Sequence, residues 1–144
     1  MTLHAPYDPA NIFGKILRGE MPSVKVFEDD IALAFMDVFP QGDGHTLVIP
    51  KSLGARNFLD LPEMEVGGYM LRVQKVARAV ETGLKPDGLR VFQFNGSAAG
   101  QTVFHLHFHI LPMWEGVKPG AHAGGGMKSA AELEPLAAKI RAGL

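Results

Sequence analysis

The sequence predicts an α+β fold, an antiparallel sheet of about five strands with a short N-terminal helix and one long helix. Three observations lead there. Runs rich in β-branched and aromatic residues at 24–28, 31–36, 45–49, 89–94 and 104–112 are bounded by turn-forming residues or proline. Val66, Tyr69, Met70, Val73, Val76, Ala77 and Val80 keep the spacing of one helical face. In the last run, His105, His107 and His109 alternate strictly with Leu106, Phe108 and Ile110, the period of a strand; on a helix the middle imidazole would point roughly 200° away from its neighbours.

The elements follow in order. Pro6 and Pro9 make residues 1–10 a flexible arm, with His4 a mobile surface residue. Asn11 caps a short helix to about residue 18, closed by Gly19 and Pro22, with Phe13, Ile16 and Leu17 on its apolar face. Residues 24–28 and 31–36 form a hairpin about Asp29-Asp30. Asp37 stands at the strand end, where a carboxylate serves equally as a turn residue or as an acceptor for a vicinal diol such as that of ribose. The loop 41–44 leads into a strand at 45–49, stopped by Pro50.

Asp60, Pro62 and Glu63 read as the N-cap, early proline and capping-box acid of the long helix, which runs to Gly83 before Pro86. Gly67-Gly68 inside it is unfavourable by roughly 1 kcal/mol per residue relative to alanine, so a compensating close contact is expected. Residues 117–128 are glycine-rich and read as mobile, with His122 uninvolved. Ser129 and Glu132 suggest a capped terminal helix that Pro135 would kink or shift.

Size and composition narrow the function. A chain of 144 residues suits one domain. Its 14 Lys and Arg balance 15 Asp and Glu, so no broad basic field invites nucleic acid. There is no cysteine to form a disulfide, no signal peptide and no apolar run of membrane-spanning length, which reads as a soluble cytoplasmic protein without membrane partners.

The histidines carry the chemistry. On a strand, alternate side chains sit roughly 7 Å apart, close enough for three imidazoles to surround one small anion. The preceding segment, 95–102, is small, glycine-containing and rich in hydrogen-bond donors, the kind of loop that offers amides to phosphate oxygens. No Asp or Glu occurs from Gly88 to Trp114, and Arg90 is the only cation between them. Two other readings stand beside a phosphate site. One is a merely polar sheet surface, which three histidines in register after a glycine loop disfavour. The other is a zinc site, which local carboxylates would ordinarily support and here do not.

Gly100-Gln101-Thr102-Val103 followed by His105-Leu106-His107-Phe108-His109-Ile110-Leu111 resembles the signature of the histidine-triad (HIT) family. Residues 11–17, 34–41 and 45–51 are similar to that family's other landmarks, in its order, so the likeness covers about residues 11–112. The branch it resembles most is the small prokaryotic one related to Hint-like phosphoramidases, with some likeness to the diadenosine-polyphosphate hydrolases. The resemblance implies a HIT-like fold, with residues 11–116 as the HIT domain between the arm and a tail at 117–144.

It also implies a hydrolase of purine nucleoside phosphoramidates or related phosphoesters, acting through a nucleotidyl-histidine intermediate and releasing a nucleoside monophosphate. His107 would be the nucleophile, His109 would contact the phosphoryl oxygens or leaving group, and His105 would orient the nucleophile. Asn95, Gly100, Gln101 and Thr102 match phosphate-binding positions; Phe13, Ile16, Phe35, Met36, Asp37 and Val38 match the nucleoside pocket. The long helix is expected at a homodimer interface. Some relatives bind structural zinc through a CxxC at the position of residues 11–14, together with histidines matching His45 and His105; both cysteines are absent here. No metal or cofactor is therefore expected, and His45 reads as a hydrogen-bonded structural residue. Met113-Trp114 stands where most relatives carry Arg, which weakens the case for a long, highly charged leaving group. The alternatives are a dinucleoside polyphosphate hydrolase, a zinc hydrolase, or a nucleotide-binding module without useful turnover.

Overall fold

Strand alternation divides this molecule into a face packed beneath the long helices and a face that carries the histidines. The computed structural model describes residues 3–121 and 125–144; His122 and Gly124 lie outside them. Helix α1 (Ile12–Leu17) starts at Asn11, whose Oδ1 accepts from the Gly14 amide at 2.9 Å. Strands β1 (Lys25–Glu28) and β2 (Ala32–Met36) form the expected hairpin, with Asp29 Oδ1 accepting from the amides of Ile31 and Ala32, each at 2.9 Å. Then come β3 (Thr46–Pro50), the long helix α2 (Glu63–Leu84), β4 (Gly88–Phe92), β5 (Phe108–Met113) and α3 (Ala130–Ala142). The strands make one antiparallel sheet in the order β1-β2-β3-β5-β4.

Along β2 the side chains part as the period of two requires. Ala32, Ala34 and Met36 turn toward α2 and α3, joining Val48, Leu106, Ile110, Val76, Val80, Leu133 and Ile140 in the main core. Leu33 and Phe35 turn the other way, to Leu47, Ile49 and Phe13 of α1. His109 lies opposite both Leu47 and Phe92, which puts it on the α1 side. The two helices thus cover one face and leave the other to α1 and the histidines. Among the described residues, no helix is long and apolar enough to cross a membrane.

Four local expectations change. The last strand begins at Phe108, because the Leu106 amide donates to Ala55 O at 3.0 Å instead of entering the ladder. Leu106 is still buried toward the helices while His105 and His107 face away, so the alternation survives without the pairing. Asp60 does not cap α2. It closes a short 3₁₀ turn, Phe58–Asp60, in a capping box with Asn57, and α2 starts after Pro62 with no side-chain cap. Pro135 lies inside α3, which starts at Ala130 with Ser129 and Glu132 as its capping box. A Cβ added at Gly67 would meet no atom within 4 Å, and one at Gly68 only the Arg72 guanidinium, so the close contact expected for this pair does not exist among the described residues. It occurs at Gly83 instead, where a Cβ would collide with the Lys139 carbonyl of α3.

Candidate active site

The glycine loop takes its shape from one buried side chain. Gln101 Oε1 accepts from the Gly96 amide at 2.8 Å, while its Nε2 donates to Arg56 O at 2.8 Å and Val103 O at 3.1 Å. Gly100 has φ +105°, a left-handed conformation suited to glycine, and its amide closes the turn on Ser97 O at 3.0 Å. Asn95 Oδ1 accepts from the Phe58 amide at 2.9 Å and from Gln93 Nε2 at 2.7 Å. Asn95 Oδ1, the Gly100 amide and the Gln101 side chain thus shape the loop. Thr102 stands exposed at its edge.

The loop delivers His105 and His107 beside His109. His105 is fully buried and both ring nitrogens are engaged, Nε2 with Pro50 O at 3.1 Å and Nδ1 with the Tyr7 hydroxyl at 2.7 Å. A carbonyl only accepts, so Nε2 carries the proton and Nδ1 accepts from Tyr7. Desolvation, opposed by the Pro50 carbonyl and reinforced by the neighbouring His107, lowers the pKa of His105 to about 4. His107 Nδ1 lies 2.6 Å from His105 O, so by the same logic Nδ1 is the protonated nitrogen and the lone pair of the neutral ring is on Nε2.

The third histidine is set from the other end. The Gln41 amide donates to His45 Nδ1 at 3.0 Å, which places the His45 proton on Nε2. Nε2 lies 2.9 Å from His109 Nδ1 and donates to it, leaving the His109 proton on its own Nε2. These tautomers are assigned from the backbone groups at each end of the chain of hydrogen bonds. The rings of His107 and His109 have centroids 4.9 Å apart. Phe92 stacks on His109 at 4.5 Å and 6°, and Phe13 meets His107 edge-on at 4.9 Å.

Of the nucleoside-pocket residues, Phe13 and Phe35 meet edge-to-face at 5.3 Å and Ile16 packs in the same cluster. Asp37 is buried on this side; its Oδ1 accepts from the Phe39 amide at 2.8 Å and its Oδ2 lies 3.6 Å from His45 Nε2. Met36 packs into the core on the helix side, and Val38 is partly buried against the same cluster. One participant, and the partner of another, are not evident from sequence. Tyr7 sits in a segment without periodicity, and no local signal marks it. His45 was legible as a hydrogen-bonded residue, though its partner, 64 positions away, was not.

Asp37, His45 and His109 offer ligand atoms that all lie within 4.8 Å of one another. The 2.9 Å separation between the two imidazole nitrogens is a hydrogen bond. Ligands sharing a tetrahedral zinc stand roughly 3.3 Å apart, so a metal would have to spread this pair.

Comparison with known proteins agrees with this geometry. The HIT domain model matches residues 18–116. The chain is 44% identical over 103 residues to Protein hit of Bacillus subtilis, covering 72% of this chain and 70% of that one. It is 38% identical over 112 residues to the adenosine 5'-monophosphoramidase HNT1 of Saccharomyces cerevisiae, covering 78% of this chain and 68% of the relative. A crystal structure of a Hit-like protein from Bartonella henselae superposes with a TM-score of 0.88 at 48% identity, covering 96% of this chain and 99% of that one. With three histidines converging beside a glycine loop on the open face of a five-stranded antiparallel sheet, the chain belongs to the histidine-triad (HIT) family.

Proposed function

We propose that the protein hydrolyses purine nucleoside phosphoramidates, or closely related nucleoside phosphoesters, through a nucleotidyl-histidine intermediate. The observation that carries this reading is the hydrogen-bond geometry of the two rings: His107 Nδ1 lies 2.6 Å from His105 O and His109 Nδ1 lies 2.9 Å from His45 Nε2, which assigns the His107 lone pair and the His109 proton to Nε2. His107 Nε2 attacks the α-phosphorus, a P–N bond to His107 forms, and the P–N bond to the leaving amine breaks as that nitrogen takes a proton from water, while His109 Nε2–H donates a hydrogen bond to the phosphoryl oxygens or the leaving nitrogen. Water then attacks the adduct, the bond to His107 breaks, the water's proton returns to solvent and the nucleoside monophosphate leaves. Asp37 would receive the ribose diol and Phe13, Ile16 and Phe35 the base. Thr102 and the remaining loop donors would face the phosphoryl oxygens, where positioned donors stabilise charge as it develops.

The name of the yeast relative, an adenosine 5'-monophosphoramidase, supports a nucleotide substrate. Met113 and Trp114 line a cleft of about 370 Å³ with Leu111, two residues beyond His109 on β5. Its lining is mostly apolar but includes Asp43 and Lys118; taken as the leaving-group side, it would suit a leaving group of modest charge. The same reading takes the active form as a homodimer. On α2, Met64 is 99% and Leu71 63% exposed, with the open Gly67 between them, and β4 is an edge strand of the sheet.

A panel of adenosine and guanosine phosphoramidates, aminoacyl-adenylates and dinucleoside polyphosphates, assayed with and without chelator, tests the reaction. We expect the phosphoramidates to turn over fastest and chelator to change nothing. Loss of activity with chelator would favour a zinc hydrolase; no turnover of any substrate would leave a binding module.

A further inference from the structure

We propose that Tyr7 of the N-terminal segment is a positioning residue for the nucleophile, acting through His105; this rests on the hydrolase reading above. Its hydroxyl reaches His105 Nδ1 at 2.7 Å, and the two rings meet edge-on with centroids 5.6 Å apart. His105 has no exposure to water, so each of its nitrogens needs a protein partner, and the Pro50 carbonyl satisfies only Nε2. Tyr7 satisfies the other. With both ends of the ring held, the residue's own carbonyl is held too, and that carbonyl is the acceptor for His107 Nδ1 at 2.6 Å. A chain of contacts thus runs from the arm to the nucleophile without Tyr7 touching substrate.

The segment around Tyr7 is fastened on both sides. Upstream, Asn57 Nδ2 donates to Leu3 O at 3.0 Å and the Arg56 guanidinium reaches Pro6 O at 3.5 Å. Downstream, Arg18 Nη1 donates to Pro9 O at 2.8 Å and Asn11 Nδ2 to Asp8 O at 2.7 Å. Arg56 also lies over the Phe104 ring at 4.1 Å, and its carbonyl accepts from Gln101, so the clamp on the arm and the frame of the glycine loop share one residue. Pro6 and Asp8, on either side of Tyr7, are exposed, so the polar contact to His105 joins these hydrogen bonds in seating the arm.

Tyr7→Phe keeps the ring and removes the donor. We expect kcat for adenosine 5'-phosphoramidate to fall about fivefold to tenfold with KM within about twofold, the signature of a group that matters to the step and not to substrate binding. In ¹⁵N-histidine NMR, His107 should read as a single Nδ1–H tautomer in the parent and move toward a mixture in the variant. A merely structural arm would lower the melting temperature while leaving kcat and the His107 signals unchanged, and that result overturns the proposal. If the parent protein turns over no phosphoramidate, the hydrolase reading fails by itself. The His107 spectrum then decides alone: a shift on Tyr7→Phe supports the coupling, and an unchanged spectrum refutes it.

Discussion

His105 ties the chemistry of a single ring to the stability of the fold. Its pKa of about 4 in the folded state, set mainly by desolvation, lies below the ordinary value of 6.5 that the unfolded chain shows. The unfolded state therefore binds more protons between those values, and stability is complete above pH 6.5 and declines as the pH falls toward 4. The loss amounts to about 3 kcal/mol from this residue. Urea unfolding measured from pH 7 to pH 4 should show that decline, and His105→Gln should flatten much of it; an unchanged slope in the variant would assign the decline elsewhere. At this scale, His105, His107 and His109 were legible because strand alternation marks them. Their tautomers were not, since these depend on the Pro50 carbonyl and the Gln41 amide, brought in by folding. Asp37, Phe13 and Met36 were named from the family likeness alone; that Met36 packs on the helix side follows from the alternation of β2.

At the scale of elements, the site depends on a sheet covered firmly on its far side. Helix α3 approaches α2 so closely that Gly83 and Gly143 meet the backbone of the other helix, a Cβ at Gly143 falling 2.6 Å from Ala79 O. Gly83→Ala gains helix propensity but drives a methyl group into the Lys139 carbonyl, which cannot yield as a flexible side chain would. We expect net destabilisation of about 2 kcal/mol and a melting temperature lower by roughly 5 °C, read by calorimetry. An unchanged or raised melting temperature would show that α3 shifts at no expense. The sequence displayed the hairpin, the long helix and the terminal capping box through local chemistry. The end of the triad strand pairing at Phe108 could not be read, because the partner that diverts Leu106 is Ala55, far away in the chain. Asp60 misled for a related reason: an acid followed by Pro and Glu suits a helix start, but here Asn57 recruits it into an earlier turn.

For the whole molecule, the formal net charge of −1 gives no field to gather polyanions, so recognition falls to the pocket itself. The exposed stripe Met64, Gly67, Leu71 on α2 and the outer edge of β4 belong to the proposed contact between two copies. Sedimentation equilibrium should give twice the chain mass, and Leu71→Glu should shift the particle toward one chain without loss of helix content. A parent protein that sediments as a single chain at assay concentration would refute the dimer.

Rapid-quench trapping with adenosine 5'-phosphoramidate carrying ³²P bears on the nucleophile itself. We expect label to appear on the protein within the first turnover, to decay as AMP is released, and never to appear on His107→Ala. Turnover by the parent without any labelled protein, or label persisting on His107→Ala, would rule out the covalent route through His107.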